Sequence, residues 1–293
     1  MNIVRVLAKL GAVAGVAETR EEARARVAEE FPELPLYADY RNLLAQERLP
    51  AVAVATPGPT HYRIARAALA AGKDVFVERP MAMSVAEAEE LAGLAEEGGR
   101  VLMVGHLSLY RPAVEFLKDY LDAGALGRLF GLHQERLDPG CVRPAENVLW
   151  ALGVLDVAVF LYLLGGSPLG LSIAGQRVLQ PEHEDDVYLH LEFAGGVKAH
   201  LHCSWLWPER RRRLVVIGEK GMLVYDEAEQ SVTLHRKGIG PDLRETDGGS
   251  EGVFAGDGDP LLYEMRHFLS CLENRRPPLS DGRSGVAVTR VLE

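Results

Sequence analysis

The chain has 293 residues, 47% of them hydrophobic, and a formal charge of −10, which supplies apolar side chain for one large core or two ordinary ones. The acidic balance argues against a general nucleic-acid or anionic-membrane partner, since either needs a basic surface. Cys141, Cys203 and Cys271 are odd in number and widely spaced, so neither a disulfide framework nor a C-x-x-C metal site is implied, and a reducing cytoplasm suits them.

Residues 1–10 read as a helix with Ile3, Val6, Leu7 and Leu10 on one stripe, and 12–17 as the strand after it. Lys9 interrupts the apolar run, so no signal peptide is read, and no apolar run is long enough to span a bilayer. Glu18 follows the strand, where an acid accepts hydrogen bonds from an adenosine ribose; equally, Glu18, Arg20, Glu21 and Glu22 open a surface helix reaching Glu30. A further helix is expected over 39–46.

The most legible stretch is 51–83. Residues 51–55 form a short apolar run before the turn Thr56-Pro57-Gly58-Pro59, the pattern of a strand buried on both faces. Ile64, Ala67, Ala68 and Ala71 then share a helical stripe that ends at Gly72, and Val75-Phe76-Val77 is a second buried strand. Two such strands joined by one helix lie parallel with a right-handed crossover, so this half is α/β. Ligands bind at the carboxyl ends of such strands, which singles out Thr56, Pro57, Glu78, Arg79 and Pro80; for Thr56-Pro57 a plain turn is an equal reading. His61, opening the helix, lines the cofactor cleft or caps the turn.

Ser84 and Glu87 make a capping box for a helix to about residue 97. A strand over 101–104 ends in Gly105-His106, and a helix over 111–123 leads out of the first domain. The expected division is 1–107 and 108–293.

The second half changes pattern. Residues 147–164 are helical, but from Asp185 the apolar period is two: Val187, Leu189, Leu191 and Phe193 face one way, and Tyr188, His190 and Glu192 the other. Val197, Ala199, Leu201, Cys203 and Trp205 repeat it after the turn at Gly195-Gly196, and another hairpin turns at Gly218-Glu219-Lys220-Gly221. An antiparallel sheet with one solvated or ligand-facing side follows. Residues 226–259 are polar and glycine-rich toward their end, and 261–274 is the last clear helix.

Three constellations have competing readings. Arg210, Arg211, Arg212 and Arg213 alternate between the faces of a strand, or hold a substrate phosphate. His200 and His202, with Glu192 or His190, have a zinc-like spacing, but half-exposed histidines on a sheet face are commoner and no metal is expected. Trp150, Trp205 and Trp207 stack on a ring or fill the core, while Tyr263 and Phe268 read as core.

Taken together, ATPGPTHYRIARAALAAGKDVFVERPMA, GRVLMVGH, LYRPAVEFLKDYLDAGALGRL, VLWALGVLDVAVFLYLLGG, GGVKAHLHCSW and EMRHFLSCLENRRPPLSDG resemble the glucose-fructose oxidoreductase and inositol dehydrogenase family, written Gfo/Idh/MocA. SWLWPERRRRLVVIGEKGMLVYDE looks like its UDP-sugar 3-dehydrogenases. The resemblance implies a Rossmann domain for NAD or NADP, then a mostly antiparallel α+β domain that holds a sugar or sugar-nucleotide substrate and mediates homo-oligomerisation. It implies cofactor contacts at Glu18, Thr56, Pro57, His61, Glu78, Arg79 and Pro80, substrate contacts at His106, Tyr110, Trp150 and Asp156, and chemistry at Arg79 and Asp156. Glu18 would repel a 2′-phosphate and favour NAD over NADP, with Arg20 the nearby counterweight.

The departures from the family pattern are specific. Its E-K-P lysine matches Arg79, whose guanidinium cannot give up a proton, and its aspartate and histidine match Ala151 and Leu155. A G-x-G-x-x-G turn and the strand before it are not found, so an upstream in-frame strand and glycine turn are expected. Two functions stay open: a sugar or sugar-nucleotide dehydrogenase with impaired proton handling, and a lapsed relative that binds a ligand or subunit without chemistry.

Overall fold

The computed structural model describes residues 1–140, 142–143, 146–240, 242–256 and 258–293; Cys141 lies outside them. The chain opens with α1 (Asn2–Lys9), β1 (Val16–Ala17), α2 (Glu21–Glu30), β2 (Leu36–Tyr37) and α3 (Tyr40–Leu44). β1 and β2 pair in parallel as a sheet of their own, so the strand expected over 12–17 is reduced to its last two residues. β3 (Ala51–Val54), α4 (His61–Ala70), β4 (Asp74–Glu78), α5 (Val85–Glu97) and β5 (Leu102–Gly105) follow, and the three strands pair in parallel in the order β3-β4-β5.

Strand parity decides what this sheet packs against. Val75 and Val77 point into a core with Ala65, Ala68, Leu91 and Ala92 of α4 and α5. Phe76 points to the other face. Gly72 ends α4 at φ +71°, and the Ser84 hydroxyl accepts from the Glu87 N–H at 3.3 Å while the Glu87 carboxylate accepts from the Met83 N–H at 3.2 Å. That is a capping box displaced by one residue on its return bond. β3 corrects one expectation: Ala53 is exposed and Ala51 and Val52 are half-buried, because β3 has a single neighbouring strand among the described residues.

The next elements are α6 (Pro112–Asp122), β6 (Leu129–Leu137), a π-helical turn at Leu149–Gly153 that runs into α7 (Val154–Leu164), and β7 (Gly170–Gln176). β8 (Asp186–Glu192), β9 (Lys198–Ser204), β10 (Arg211–Gly218), β11 (Gly221–Asp226), β12 (Ser231–Ile239) and β13 (Glu245–Ala255) complete an eight-stranded sheet. Its order is β13-β12-β11-β10-β6-β9-β8-β7, with β6 and β9 parallel and the other pairs antiparallel. Val187, Leu189, Leu191, Ala199, Leu201 and Cys203 are buried on one face, as their period of two requires, while Tyr188, His190 and Glu192 are exposed on the other. β12 and β13 arise from the stretch read as a polar, glycine-rich connection.

α8 (Pro260–Asn274) and α9 (Gly282–Leu292) close the chain. Contacts group Pro260–Val291 with Met1–His106, and Leu107–Asp259 by itself, so the expectation of one second domain over 108–293 is corrected at its end. The cause is packing. Phe268 of α8 meets Phe76 at 5.8 Å between ring centres, and Arg275 holds both oxygens of buried Asp74 at 2.7 and 3.1 Å. α9 lies so close to the sheet that a Cβ at Gly285 would sit 2.8 Å from Val104 and 2.9 Å from Met81. Among the described residues, no helix is long and apolar enough to cross a membrane.

Candidate functional site

Because β3, β4 and β5 are adjacent and parallel, Thr56-Pro57, Glu78-Arg79-Pro80 and Gly105-His106 emerge from the same edge of one sheet. This is the edge at which α/β sheets bind ligands. The Thr60 hydroxyl lies 2.7 Å from both the Thr56 hydroxyl and the Pro57 carbonyl, which sets the turn after β3. Buried His61 spans two of the loops, with Nε2 2.6 Å from the Thr56 carbonyl oxygen and Nδ1 2.7 Å from that of Pro80.

Glu78 sits opposite Gly105 in the ladder, and its Oε2 would be only 2.9 Å from a Cβ at that position. Glycine there leaves the carboxylate its place. Oε2 also accepts from the Arg79 N–H at 3.3 Å. His106, the next residue, is buried, and its Nδ1 has no hydrogen-bond partner. Burial first, and then the Arg79 charge, push its pKa down to about 4, so the ring is neutral at pH 7.

Sequence reasoning missed one member of this group, Glu264 of α8. It is 1% exposed, and its Oε1 has no partner. Burial, reinforced by the negative charge of Glu78, holds its carboxyl well above the usual carboxylate range. The placement follows from two periodicities: Phe76 and Glu78 share a face of β4, Phe268 and Glu264 share a face of α8, and the Phe76–Phe268 contact fixes the register. A signal was present, since Glu264, Phe268 and Cys271 lie on one helical stripe and an acid on an apolar stripe is unusual.

Glu18 follows β1, which belongs to the separate two-stranded sheet. Its Oε1 accepts from the Arg20 N–H at 2.9 Å and its carboxylate pairs with the Arg20 guanidinium at 3.2 Å, which lowers its pKa.

Tyr110, Trp150 and Asp156 lie in the other unit. Tyr110 ends a short 3-10 turn at Leu107–Tyr110 and is half-buried. Trp150 sits in the π turn, with its N–H donating to Asn147 at 3.0 Å. Asp156 is buried and bound through both oxygens to Arg136, whose Nη2 also reaches Glu227 at 3.0 Å. Glu227 accepts in addition from Arg111 at 3.1 Å and Arg212 at 3.0 Å, and Arg212 reaches Asp138 at 2.6 Å. Burial raises the Asp156 carboxyl while Arg136 opposes it, and the same carboxylates raise Arg136. Three arginines face three acids, an arrangement that holds Asp156 as a structural partner. At the two positions where the resemblance expects proton-handling side chains, Ala151 is buried in the π turn and Leu155 is half-buried.

The arginine run alternates. Arg212 turns inward to Asp138 and Glu227, while Arg211 and Arg213 are exposed on the opposite face. His190 and His200 meet through Nδ1 at 2.6 Å, and His202 lies 3.1 Å from Asp186. Among the described residues no three His, Cys, Asp or Glu side chains converge to hold a metal ion. Trp205 is core, with its indole N–H on Asp185 at 2.6 Å.

Comparison with known proteins supplies the setting. A model described as an oxidoreductase family with an NAD-binding Rossmann fold matches residues 4–106, and one for the GFO/IDH/MocA C-terminal domain matches 114–224. UDP-N-acetylglucosamine 3-dehydrogenase from Acidithiobacillus ferrooxidans is 27% identical over 95% of this chain and 87% of its own length. Its solved structure superposes with a TM-score of 0.86 over 99% of this chain and 91% of that one, at 26% identity. A protein of Magnetospirillum magnetotacticum MS-1 is 32% identical with a TM-score of 0.85, covering 100% of this chain and 94% of its own.

Proposed function

The chain belongs to the Gfo/Idh/MocA oxidoreductase family, and on that premise we propose that it is an NAD(H)-dependent dehydrogenase of a sugar or sugar-nucleotide hydroxyl whose proton-handling step is impaired. The observation that carries the reading is the convergence of Thr56-Pro57, Glu78-Arg79-Pro80 and His106 on one edge of a three-stranded parallel sheet. The sugar-nucleotide class is supported by the relative that acts on UDP-N-acetylglucosamine.

The residues present fit two ends of an NAD. The ionised carboxylate of Glu18 suits the hydroxyls of an adenosine ribose and repels a 2′-phosphate, so NAD is favoured over NADP, with Arg20 opposing. The loops after β3, β4 and β5 suit the nicotinamide end. For the pyrophosphate between them, no G-x-G-x-x-G turn occurs in these residues. When bound, NAD supplies the acceptor of the hydride. Arg79 orients the substrate hydroxyl by donating to its oxygen and, as a guanidinium, takes no proton from it. His106, neutral and with Nδ1 unpartnered, is the group in this edge able to accept one.

One observation favours a second reading, that of a ligand-binding relative without turnover. Asp156, which the resemblance places in the chemistry, has both oxygens committed to Arg136. NADH formation from NAD over a panel of sugars and sugar nucleotides separates the two: turnover with at least one supports the dehydrogenase, and binding without turnover supports the lapsed relative.

Two finer expectations complete the reading. The outer face of the eight-stranded sheet carries a half-buried apolar stripe of Val215, Ile217, Met222 and Val224, which supports a homo-oligomer formed through this sheet. Cys203 and Cys271 are buried and free, which supports a reducing cytoplasm.

A further inference from the structure

In the unit of Met1–His106 with Pro260–Val291, at the sheet edge opposite the strand-end loops, a cavity of about 370 Å³ opens between the end of α5, the start of β5 and the turn from α8 to α9. That volume falls in the range of small-molecule sites. Its floor is apolar: Ala92, Ala95, Val101 and Leu102 are buried there, and Pro277 and Pro278 form one wall. Its rim is cationic. Arg100, Arg275, Arg276 and Arg283 line it against two acids, Glu96 and Asp281, a local excess of positive charge in a chain whose formal charge is −10.

The rim groups differ in what else holds them. Arg275 is fixed, donating to both oxygens of buried Asp74 and to the Gly99 carbonyl at 2.6 Å. Arg283 pairs with Glu96 at 2.6 Å, but both side chains are exposed, and such a pair is held weakly enough to exchange its acid for a ligand oxygen. Arg100 and Arg276 are exposed and, among the described residues, unpaired. Asp281 accepts from the Ser284 N–H at 2.8 Å and so caps α9, whose positive end opens at the cavity. The walls are set by close packing: a Cβ at Gly282 would lie 2.9 Å from Leu102 and 3.3 Å from Ala92, so the start of α9 is pressed against α5 and β5.

We propose that this cavity binds a small phosphate ester with an apolar body, its phosphate on Arg100, Arg276 and Arg283 and its body on the floor of alanine and proline side chains. A guanidinium fork matches two phosphate oxygens at once, which a lysine rim would not do. A bare anion would leave the apolar floor in water, and a neutral apolar molecule would leave the charge of the rim without a partner. The site is separate from the cofactor edge. β5 has Leu102 at this cavity and Gly105 at the strand-end loops, so the ester takes none of the residues given to NAD.

The test uses the whole chain without cofactor, with phenyl phosphate as the probe. Calorimetric titration is expected to show saturable one-to-one binding, and backbone-amide shifts should centre on Gly99, Arg100, Arg276, Gly282 and Arg283. Shifts confined to other residues, or no saturable binding, overturn the site. Inorganic phosphate should bind about tenfold more weakly, because the floor acts on the ester alone; equal affinity for the two overturns the apolar half of the assignment. Arg100→Ala combined with Arg276→Ala should weaken phenyl phosphate by about tenfold or more, through loss of a charge-assisted hydrogen bond from each guanidinium. Arg26→Ala, which removes an exposed arginine of α2, should leave the affinity unchanged. Undiminished binding by the double variant, or an equal loss in Arg26→Ala, overturns the role of the rim. If the double variant does not fold, the amide shifts and the comparison of the two ligands decide alone.

Discussion

The two units differ in whether their buried titratable side chains meet an opposite charge. In the unit of Leu107–Asp259, Arg111, Arg136 and Arg212 face Asp138, Asp156 and Glu227, and each of these charges has an opposite charge within 3.1 Å. In the unit of Met1–His106 with Pro260–Val291, His106 and Glu264 are just as buried, but the charges acting on them are like ones, Arg79 and Glu78, whereas the unpartnered Nε atoms of Arg111 and Arg212 belong to guanidiniums that are ion-paired through another nitrogen. The difference teaches where to look for function. A compensated buried charge holds a fold together, whereas an uncompensated one keeps a perturbed protonation state that ligand chemistry can use.

The largest effect expected from breaking this contrast is on activity. Leu155→His puts an imidazole where the resembling enzymes keep one, and a positioned acid–base group contributes about a hundredfold to ten-thousandfold. NADH formation on the sugar-nucleotide panel should rise toward that range; no rise means proton transfer is handled elsewhere, with His106 the first group to test. Ala151→Asp is a poorer repair than the family pattern suggests, because Ala151 is 0% exposed and taking a carboxylate out of water there carries a desolvation cost.

Next in size is the compensated network. Asp156→Ala leaves Arg136 buried with Glu227 as its remaining partner and should cost about 3–5 kcal/mol in urea unfolding. Replacing both members with apolar residues, Arg136→Met with Asp156→Leu, should cost less than the single change. Equal losses would show that the pair acts through packing and not through charge.

How far these features were legible depended on what carries the signal. β3, α4 and β4 were readable because apolar runs, Gly72 and turn residues are local. β12 and β13 were not: β13 is exposed along most of its length and rich in glycine and acid, so it shows no apolar period and owes its strand to pairing with β12. The strand-end loops were legible from topology, but Glu264 reaches them from α8, nearly two hundred residues after Glu78, through the Phe76–Phe268 contact. Asp156 looked chemical on its helix because Arg136, its partner, is on β6.

A smaller effect sharpens the uncompensated side. Glu264 has a raised pKa in the folded protein, so its contribution favours folding least above that value: wild-type stability relative to Glu264→Gln should fall as pH rises from about 4.5, the unfolded value, and level off above the folded one. The Tm difference between the two proteins should be near zero at pH 4 and favour Glu264→Gln at pH 8. A difference independent of pH would mean that Glu264 does not titrate in this range. Smaller again is cofactor choice. Glu18→Gln removes the charge that repels a 2′-phosphate, and NADP should gain severalfold on NAD in calorimetric titration; an unchanged ratio would place the discrimination elsewhere.

The most direct test of the central claim, that the strand-end loops of the first unit receive the cofactor, is a backbone-amide NMR titration with NADH. Saturable shifts should appear at Glu18, Thr56, His61, Glu78, Arg79 and His106 and leave the β12–β13 hairpin still. Shifts absent from these residues, or confined to other parts of the chain, would contradict the account.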